Sequence, residues 1–353
     1  MCEVLNRYAT QSSHIILRGE KVNSRKIRVI GSGMALPAQQ VSADELDRRL
    51  DLRAGTTFRQ TGVQRRFLST TETAAQLAAR ACEAALSAAG LRWDDIDCLV
   101  AASATMDQGL PYNAALIHAE LGLTQQRTST FDIGASCMSF LTGLDVMSYL
   151  VDAGRYRHVM LVSADIATFG LDWSRLKECG IFGDGAAAVV IRKPISDETG
   201  ELLSANTVTL SAGVSNCRIP AGGSRFHPRR IQQSIDPLSL FHMDGKSVFR
   251  LVASELPRFT QQLLNAAETT LANIAAVVPH QASQLALDHL AKRLDIPTHR
   301  LVDIFSQYGN QVAASLPTAL HLALSEGRVE RGQKLMLIGT GAGLTIGGMI
   351  LTY

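Results

Sequence analysis

The sequence predicts a mixed α/β fold built from one structural unit used twice. Two observations carry this expectation. Alanine- or leucine-rich helical stretches alternate with short, β-branched apolar runs along most of the 353 residues. The alternation also repeats: DDIDCLVAAS (94–103) matches ANIAAVVPHQAS (272–283) at an offset of 178 residues, with Ile96 opposite Ile274 and Ala102 opposite His280. Further on, DVMSYLVDAGRYRHVMLVSA (145–164) matches LPTALHLALSEGRVERGQKLMLIGT (316–340) through Gly154 and Gly327, at an offset of 173 that sets Asn310 opposite Cys137. Chance resemblance between alanine-rich helices is common, so the ordered match of strand, turn, helix and strand carries the weight. With 46% apolar residues the chain buries a large core, either as a duplicated unit or as two fused domains.

In chain order, residues 1–24 are polar and aperiodic and are taken as an N-terminal extension. Residues 25–192 and 193–353 are expected to form the two halves. Lys26–Ile30 reads as the first strand, turning at Gly31-Ser-Gly33; the third glycine of a dinucleotide fingerprint is missing and Pro37 follows instead of a helix. Helical patterns cover Ala43–Leu50 and Thr73–Ala89, the second stopped by Gly90. Leu99–Ala102 is a buried strand, Asn113–Leu121 a helix, and Ser129–Ile133 a strand leading into Cys137. Phe140–Asp152 is apolar on most faces, as a helix buried on most faces must be. Val159–Ser163 and Ala187–Ile191 are strands, the second after the turn Phe182-Gly-Asp-Gly185. Residues 193–245 are irregular and are expected to join the halves and pass near the site. The second half then reads helix (Ser247–Thr269), strand (Ala275–Val278), helix (Ser283–Leu294), strand (Val302–Phe305), helix (Ala313–Ser325) and strands Lys334–Ile338 and Thr345–Leu351. Between the last two lies Gly339-Thr-Gly341-Ala-Gly343, which no helix follows, so its glycines fit close backbone approach to a bound acyl group better than a phosphate cradle.

A formal net charge of +2 carries no nucleic-acid or membrane footprint. The chain has no apolar run of the roughly 18 to 20 residues needed to span a bilayer, and its first residues lack a signal-peptide core, so a cytoplasmic location is expected. Six cysteines without CxxC spacing point away from zinc and from disulfides, and no metal or cofactor is expected.

Cys137 sits in Phe131-Asp-Ile-Gly-Ala-Ser-Cys137-Met-Ser-Phe140, between a strand end and a helix N-terminus whose amides and dipole favour a thiolate. The small residues before it leave room for a substrate carbonyl. His280 follows a strand and precedes a helix, where open α/β sheets place functional side chains. Taken singly, Cys137 reads equally as an inert buried thiol, His280 as a surface histidine and Asn310 as a turn residue or cap. Their meeting at a pseudo-twofold axis would suit acyl transfer, with a thiolate accepting the acyl group and two neutral donors holding an enolate or oxyanion.

These residues lie in motifs that resemble the β-ketoacyl-acyl carrier protein synthase III family of the thiolase superfamily: DIGASCMSF around Cys137, FGDGAAAVV at 182–190, VVPHQAS around His280, YGNQVAASLPTAL around Asn310 and the closing GTGAGLTIGG. The resemblance implies a thiolase-like, five-layered αβαβα fold of two pseudo-symmetric halves. It implies an acyltransferase in which Cys137 takes an acyl group from acyl-coenzyme A or an acyl-acyl carrier protein. Malonyl-acyl carrier protein then loses CO2 while His280 and Asn310 hold the enolate, and a Claisen condensation completes the reaction. Gly341, Ala342 and Gly343 would lie along the acyl carbonyl, and Leu110, on the loop Met106–Pro111, would reach the partner's acyl pocket in a homodimer. Arg250, Lys292 and Arg293 would face the acidic carrier protein. The chain departs from the family pattern at Thr56 and Gln60, which stand where the family has a tryptophan that stacks on the adenine of coenzyme A and the arginine of an Arg-Thr-Gly run, at Arg175-Leu176-Lys177 before FGDG, where the expected arginine is shifted, and at Ser283 in place of an asparagine. These departures keep other readings open: transfer to a hydroxyl or amine acceptor, head-to-head condensation of two acyl groups, for which a glutamate near Leu110 is missing, and a non-catalytic dimer partner, against which the retained cysteine speaks.

Overall fold

The apolar runs of the first half assemble into a five-stranded sheet. A computed structural model describes residues 24–353; apart from Ser24, the expected N-terminal extension lies outside the described residues. The first half comprises β1 (Arg28–Ala35), β2 (Gln39–Ser42), α1 (Ala43–Arg49), α2 (Thr56–Thr61), β3 (Arg65–Leu68), α3 (Ala74–Ala89), β4 (Cys98–Ala101), α4 (Asn113–Glu120), β5 (Ser129–Asp132), α5 (Ser139–Asp152), β6 (His158–Asp165), α6 (Leu176–Cys179) and β7 (Gly185–Arg192). The second comprises β8 (Glu201–Thr209), β9 (Cys217–Arg218), β10 (His242–Met243), α7 (Gly245–Ala266), β11 (Ile274–Pro279), α8 (Gln284–Leu294), α9 (Phe305–Tyr308), α10 (Ser315–Ser325), β12 (Lys334–Gly341) and β13 (Thr345–Thr352).

The two large sheets have matching topology. Strand order β1-β7-β6-β4-β5 in the first is answered by β8-β13-β12-β11 in the second, with two antiparallel pairings and then a parallel one in each. The fifth position of the second sheet is reduced to a single parallel bridge between Val277 and Leu301. Helices α5 and α10 lie between the sheets in one continuous core, α3 and α4 cover the outer face of the first sheet, and α7 and α8 cover the second. This is a five-layered αβαβα, thiolase-like arrangement of two pseudo-symmetric halves.

The register tests the repeat residue by residue. Cys98 pairs with Val159 and Ala276 with Leu335, so the offset of 178 holds along β4 and β11. The next amides agree: Ala102 N donates to Val162 O (2.7 Å) and His280 N to Ile338 O (2.8 Å). At the cysteine the expected pairing fails. Strand β6 begins at His158 and β12 at Lys334, while α5 begins at Ser139 and α10 at Ser315, an offset of 176 in both cases. The counterpart of Cys137 is therefore Ala313, and that of Asn310 is Gly134. The offset of 173 belongs only to the helix ends, because α5 has 14 residues and α10 has 11, and the next loop restores the difference.

Four further expectations are corrected. Gly31 and Gly33 lie within β1 rather than in a turn, since α3 packs directly on them; a Cβ at Gly33 would stand 2.5 Å from the Ala85 amide nitrogen and 2.7 Å from Ala81 O. Val302–Phe305 is not a strand: after the Leu301 bridge the chain is taken up by the Gln281 side chain and turns into α9. The irregular joining segment contains a nine-residue edge strand, β8, whose polar ELLSANTVT sequence hides its pattern. The closing glycines 339 and 341 are strand residues of β12. Elsewhere the local rules hold: Thr73 and Gln76 form a capping box on α3, Gly90 ends it at φ 67°, and Ser283 caps α8.

Because backbone atoms of α3 cannot yield, Gly33→Ala is expected to destabilise the protein by about 1–3 kcal/mol, read as a lower urea midpoint at unchanged slope. Gly223→Ala, where a side chain would meet open space, leaves the midpoint in place.

Candidate active site

The site is built on an elbow. Ser136 has φ 53°, a left-handed conformation that a non-glycine residue adopts only when its surroundings impose it, and Cys137 comes next, before α5 begins. Ser139, fully buried, fixes the bend: its Oγ accepts from Ala135 N (2.8 Å) and donates to Ser136 O (2.7 Å). The second half repeats the elbow at Val312, φ 54°, where Ser315 Oγ accepts from Gln311 N (2.8 Å).

Cys137 is half-buried, and the amides of Ala342 and of Cys137 itself lie against its sulfur. Burial pushes its thiol up to about 12, reinforced by Cys217 and Asp165, against the pull of the two amides. This direction is opposite to the thiolate expected from the sequence, because desolvation outweighs the two amides. Ala342 comes after β12, whose glycines permit the approach: Gly341 lies against Ala135 O and Met138 N, where a Cβ would stand 3.4 Å from each. Gly343 (φ 87°) turns the chain into β13.

His280 stands at the carboxyl end of β11 and is 5% exposed. Burial holds its ring down at about 4, and Nδ1 has no partner among the described residues, so the ring is neutral at physiological pH. Gly339 brings it toward the cysteine elbow: a side chain there would meet the Cβ of His280 at 2.6 Å and Cε of Met138, the neighbour of Cys137, at 2.7 Å.

Asn310 is also 5% exposed. Its Oδ1 accepts from Val312 N (2.9 Å) and its Nδ2 donates to Ala282 O (3.3 Å), while Ala282 N bonds back to His280 O (2.9 Å). One N–H of the Asn310 amide remains for a ligand. The backbone of Asn310 is held separately, with its N donating to Ile181 O (2.8 Å) and its O accepting from Gly183 N (3.2 Å). Gly309, φ 68°, permits this contact; a side chain would sit 2.7 Å from Ile181 O.

A cavity of about 1050 Å³ opens between α2, α7 and α8 and reaches His280, Ala282, Gly339 and Thr340 at its inner end. Cys137 lies beyond that end rather than on its wall. Arg250 is exposed on the cavity wall beside Lys246, with Arg59 and Lys177 across it. Lys292 and Arg293 are not on this wall; they are exposed on the last turn of α8, about 12 Å along the helix from Gln284 at the mouth. Gln60 lines the cavity and Thr56 does not. Leu110 is 86% exposed on the loop after β4, away from this cavity. No group of three or more metal-ligating side chains occurs among the described residues, and no described helix is long and apolar enough to cross a membrane.

Several site residues escaped the sequence reading. Asp165 ends β6 fully buried and accepts from Ala104 N (2.8 Å), Thr105 N (2.7 Å) and Ala314 N (3.1 Å); burial pushes it up to about 6. Asp184, in the FGDG turn, accepts from Ser69 N (2.9 Å), Ala167 N (2.9 Å) and Thr168 Oγ1 (2.6 Å). The buried glutamines next to the two site residues had a visible signal, a His-Gln and an Asn-Gln pair. Gln281 donates to Pro279 O and Val302 O, and Gln311 to Asp184 O.

The likeness to known proteins agrees with this fold. Residues 131–210 match the 3-oxoacyl-[acyl-carrier-protein] synthase III family and residues 264–353 its C-terminal family. A β-ketoacyl-[acyl-carrier-protein] synthase III of Symbiobacterium thermophilum is 32% identical over 332 residues, 93% of this chain and 98% of that protein. The chain belongs to the β-ketoacyl-acyl carrier protein synthase III family. Among solved structures, the 3-oxoacyl-(acyl carrier protein) synthase III of Pseudomonas aeruginosa PAO1 superposes with TM-score 0.83 at 32% identity, covering 93% of this chain and 98% of that one. The priming β-ketosynthase of the R1128 polyketide pathway superposes with TM-score 0.82 at 28% identity, covering 95% and 98%.

A solvated imidazole titrates near pH 6.5. The lowered value at His280 keeps it neutral well below that, so nitrogen NMR of labelled protein is expected to report an uncharged His280 ring from pH 8 down to about 5. A ring charging between pH 6 and 7 would contradict the burial argument.

Proposed function

We propose that this synthase III family member condenses an acyl primer with malonyl-acyl carrier protein in fatty acid or related biosynthesis, using Cys137, His280 and Asn310. The observation that carries the reading is the grouping of a neutral imidazole lining a deep cavity, an amide with a free N–H bonded to Ala282 on the same lining, and a half-buried thiol whose neighbour Met138 packs with His280 around Gly339. The Cys137 sulfur attacks the donor thioester, a new S–C bond forms, and the donor thiol leaves carrying the cysteine proton. The amides of Cys137 and Ala342 would hold the carbonyl oxygen through the tetrahedral stage, with Gly341 and Gly343 leaving the acyl group room. A malonyl thioester then loses CO2, and its electron pair passes to an enolate held by the imidazole N–H of His280 and the Nδ2–H of Asn310. Attack of the enolate carbon on the acyl-cysteine forms the C–C bond and releases the Cys137 sulfur, which takes up a proton. Neutral donors suit this step, since a buried cation would be costly to maintain.

The entrance favours substrates on a phosphopantetheine arm: the cavity is deep and largely apolar, with Arg250 at its wall to meet an acidic carrier protein, and Lys292 and Arg293 would add to that surface from the last turn of α8. Thr56 and Gln60 themselves offer no aromatic or guanidinium surface to an adenine, although Phe58 and Arg59 of the same helix line the cavity, so the entrance admits either a carrier-protein or a coenzyme A donor. A homodimer is supported by the other side of the molecule. Strand β5 ends its sheet, Tyr112 is tied to it through Thr130 (3.0 Å), and Met106, Leu110 and Tyr112 are 65%, 86% and 43% exposed around it. An open edge flanked by apolar side chains calls for a cover, and a second copy would bring Leu110 of each subunit to the other's acyl pocket. Residues 25–192 and 193–353 serve as the nucleophile-bearing and donor-bearing halves, in a cytoplasmic enzyme.

With a panel of acyl thioesters and malonyl-acyl carrier protein, mass spectrometry is expected to find a 3-oxoacyl product two carbons longer than the primer, absent with Cys137→Ala. Acyl-enzyme without an extended product would favour transfer to a hydroxyl or amine instead. Removing either enolate donor (His280→Ala or Asn310→Ala) is expected to cut malonyl decarboxylation about 10²- to 10³-fold while Cys137 is still acylated. Sedimentation is expected to give twice the 38.0 kDa chain mass.

A further inference from the structure

Among the described residues Arg66 is the largest fully buried side chain, at 0% exposure, and no carboxylate pairs with it. A lone buried guanidinium is costly, and two of its nitrogens, Nε and Nη2, have no partner among those residues. What it does hold is specific. Nη1 donates to the carbonyls of Gly180 and Phe182, the latter at 3.2 Å. Those carbonyls bracket Ile181, whose own carbonyl receives the Asn310 amide at 2.8 Å, and Gly183 N returns a bond to Asn310 O at 3.2 Å. The guanidinium thus clamps one side of a short segment, and the Asn310 backbone is clamped to the other.

The surrounding contacts make this segment the bracket for Asn310 on that side. Gly183 fits against the Tyr308 carbonyl and the Arg66 Cβ with no room for a side chain. Tyr308 stacks on Phe67, the neighbour of Arg66, with ring centroids 6.1 Å apart. Asp184 N bonds to Phe67 O (2.8 Å) and Gln64 N to Ser306 O (2.8 Å), so the strand bearing Arg66 and the residue before it are laced both to the end of the Gly180–Gly183 segment and to α9, which leads into Asn310. Arg66 itself comes from β3, a two-stranded element of the first half, while Asn310 belongs to the second.

We propose that Arg66 is a positioning residue for the decarboxylation step: by fixing Gly180–Gly183 it sets the backbone of Asn310, and so the direction of the Nδ2–H that meets the enolate. This rests on the role given above to Asn310. Cys137 lies on the other elbow and the Ala342 amide follows β12, and neither takes part in these bonds, so acylation should be insensitive to Arg66.

The test separates the two half-reactions in the full-length protein. Acylation is tracked as acyl-enzyme by intact mass with an acyl thioester, and decarboxylation as CO2 release from malonyl-acyl carrier protein, for wild type, Arg66→Met, Arg66→Lys and Asn310→Ala. Arg66→Met is expected to lower decarboxylation about 10²-fold, the scale of an approximately 1 Å misplacement, with acylation within about threefold. Arg66→Lys, which keeps a donor for the two carbonyls, should recover much of the loss. Retained acylation also certifies that the variant is folded. Parallel loss of both half-reactions, or no loss of decarboxylation while Asn310→Ala abolishes it, overturns the positioning role alone. Intact decarboxylation in Asn310→Ala overturns the reading of the site, and the positioning role with it.

Discussion

Everything in this molecule depends on two buried helices whose entrances must bend in the same disfavoured way. Ser136 and Val312 both take positive φ, and for a β-branched residue that conformation costs on the order of 1–3 kcal/mol. A buried serine three residues beyond each bend, Ser139 or Ser315, offsets that cost, because its hydroxyl captures the amide preceding the elbow. The amide before each bend is turned inside the elbow and takes that hydroxyl as its partner, so the bend and the serine stand or fall together. This one constraint dictates the placing of α5 and α10 in the central layer, the packing of both sheets on them, and the location of the site at the strand ends that face the elbows.

The fold was legible in the sequence where burial imposes a period and illegible where polarity hides it. Strands β4, β6, β7 and β11 are buried on both faces and appear as unbroken apolar runs, so the repeat through Ile96 and Ile274 could be read and holds in the register. Strand β8 does the same topological work as β1, ending its sheet, but its last residues are exposed, and Asn206, Thr207 and Thr209 mask it. The site was legible as a set of residues and misread as a symmetry. Cys137, His280 and Asn310 carry their motifs in plain view, yet the pairing of Cys137 with Asn310 came from glycines beyond the helices, where a three-residue deletion had already shifted the frame. What no motif announces is buried charge: Asp165 and Arg66 sit in unremarkable runs of sequence, and only the path of the backbone around them shows what they hold.

The electrostatics of the site arise from dryness. Burial raises the thiol of Cys137 and lowers the imidazole of His280, so both lean toward the uncharged form before substrate arrives. In the proposed reaction the first charge would then develop only when a thioester carbonyl is within reach of the same two amides that rest on the sulfur. Donors already oriented by backbone bonds, as at Asn310, would need no reorganisation to meet a developing enolate.

The corrected symmetry explains why only one elbow is open. At the register of 176, Asp165 at the end of β6 corresponds to Gly341 at the end of β12. Each strand end faces the elbow of the opposite half. Against the second elbow, the Asp165 carboxylate fills the space, taking the Ala314 amide on one oxygen and the Ala104 and Thr105 amides on the other. Against the first elbow, Gly341 presents no side chain, and what meets Cys137 is the bare amide of Ala342. A carboxylate on one side makes a closed, fully bonded joint between the halves. A glycine on the other leaves a donor and the room that a thioester carbonyl requires. Duplication supplied two equivalent bends, and the difference between an aspartate and a glycine at one strand position decides which serves as a joint and which as the site.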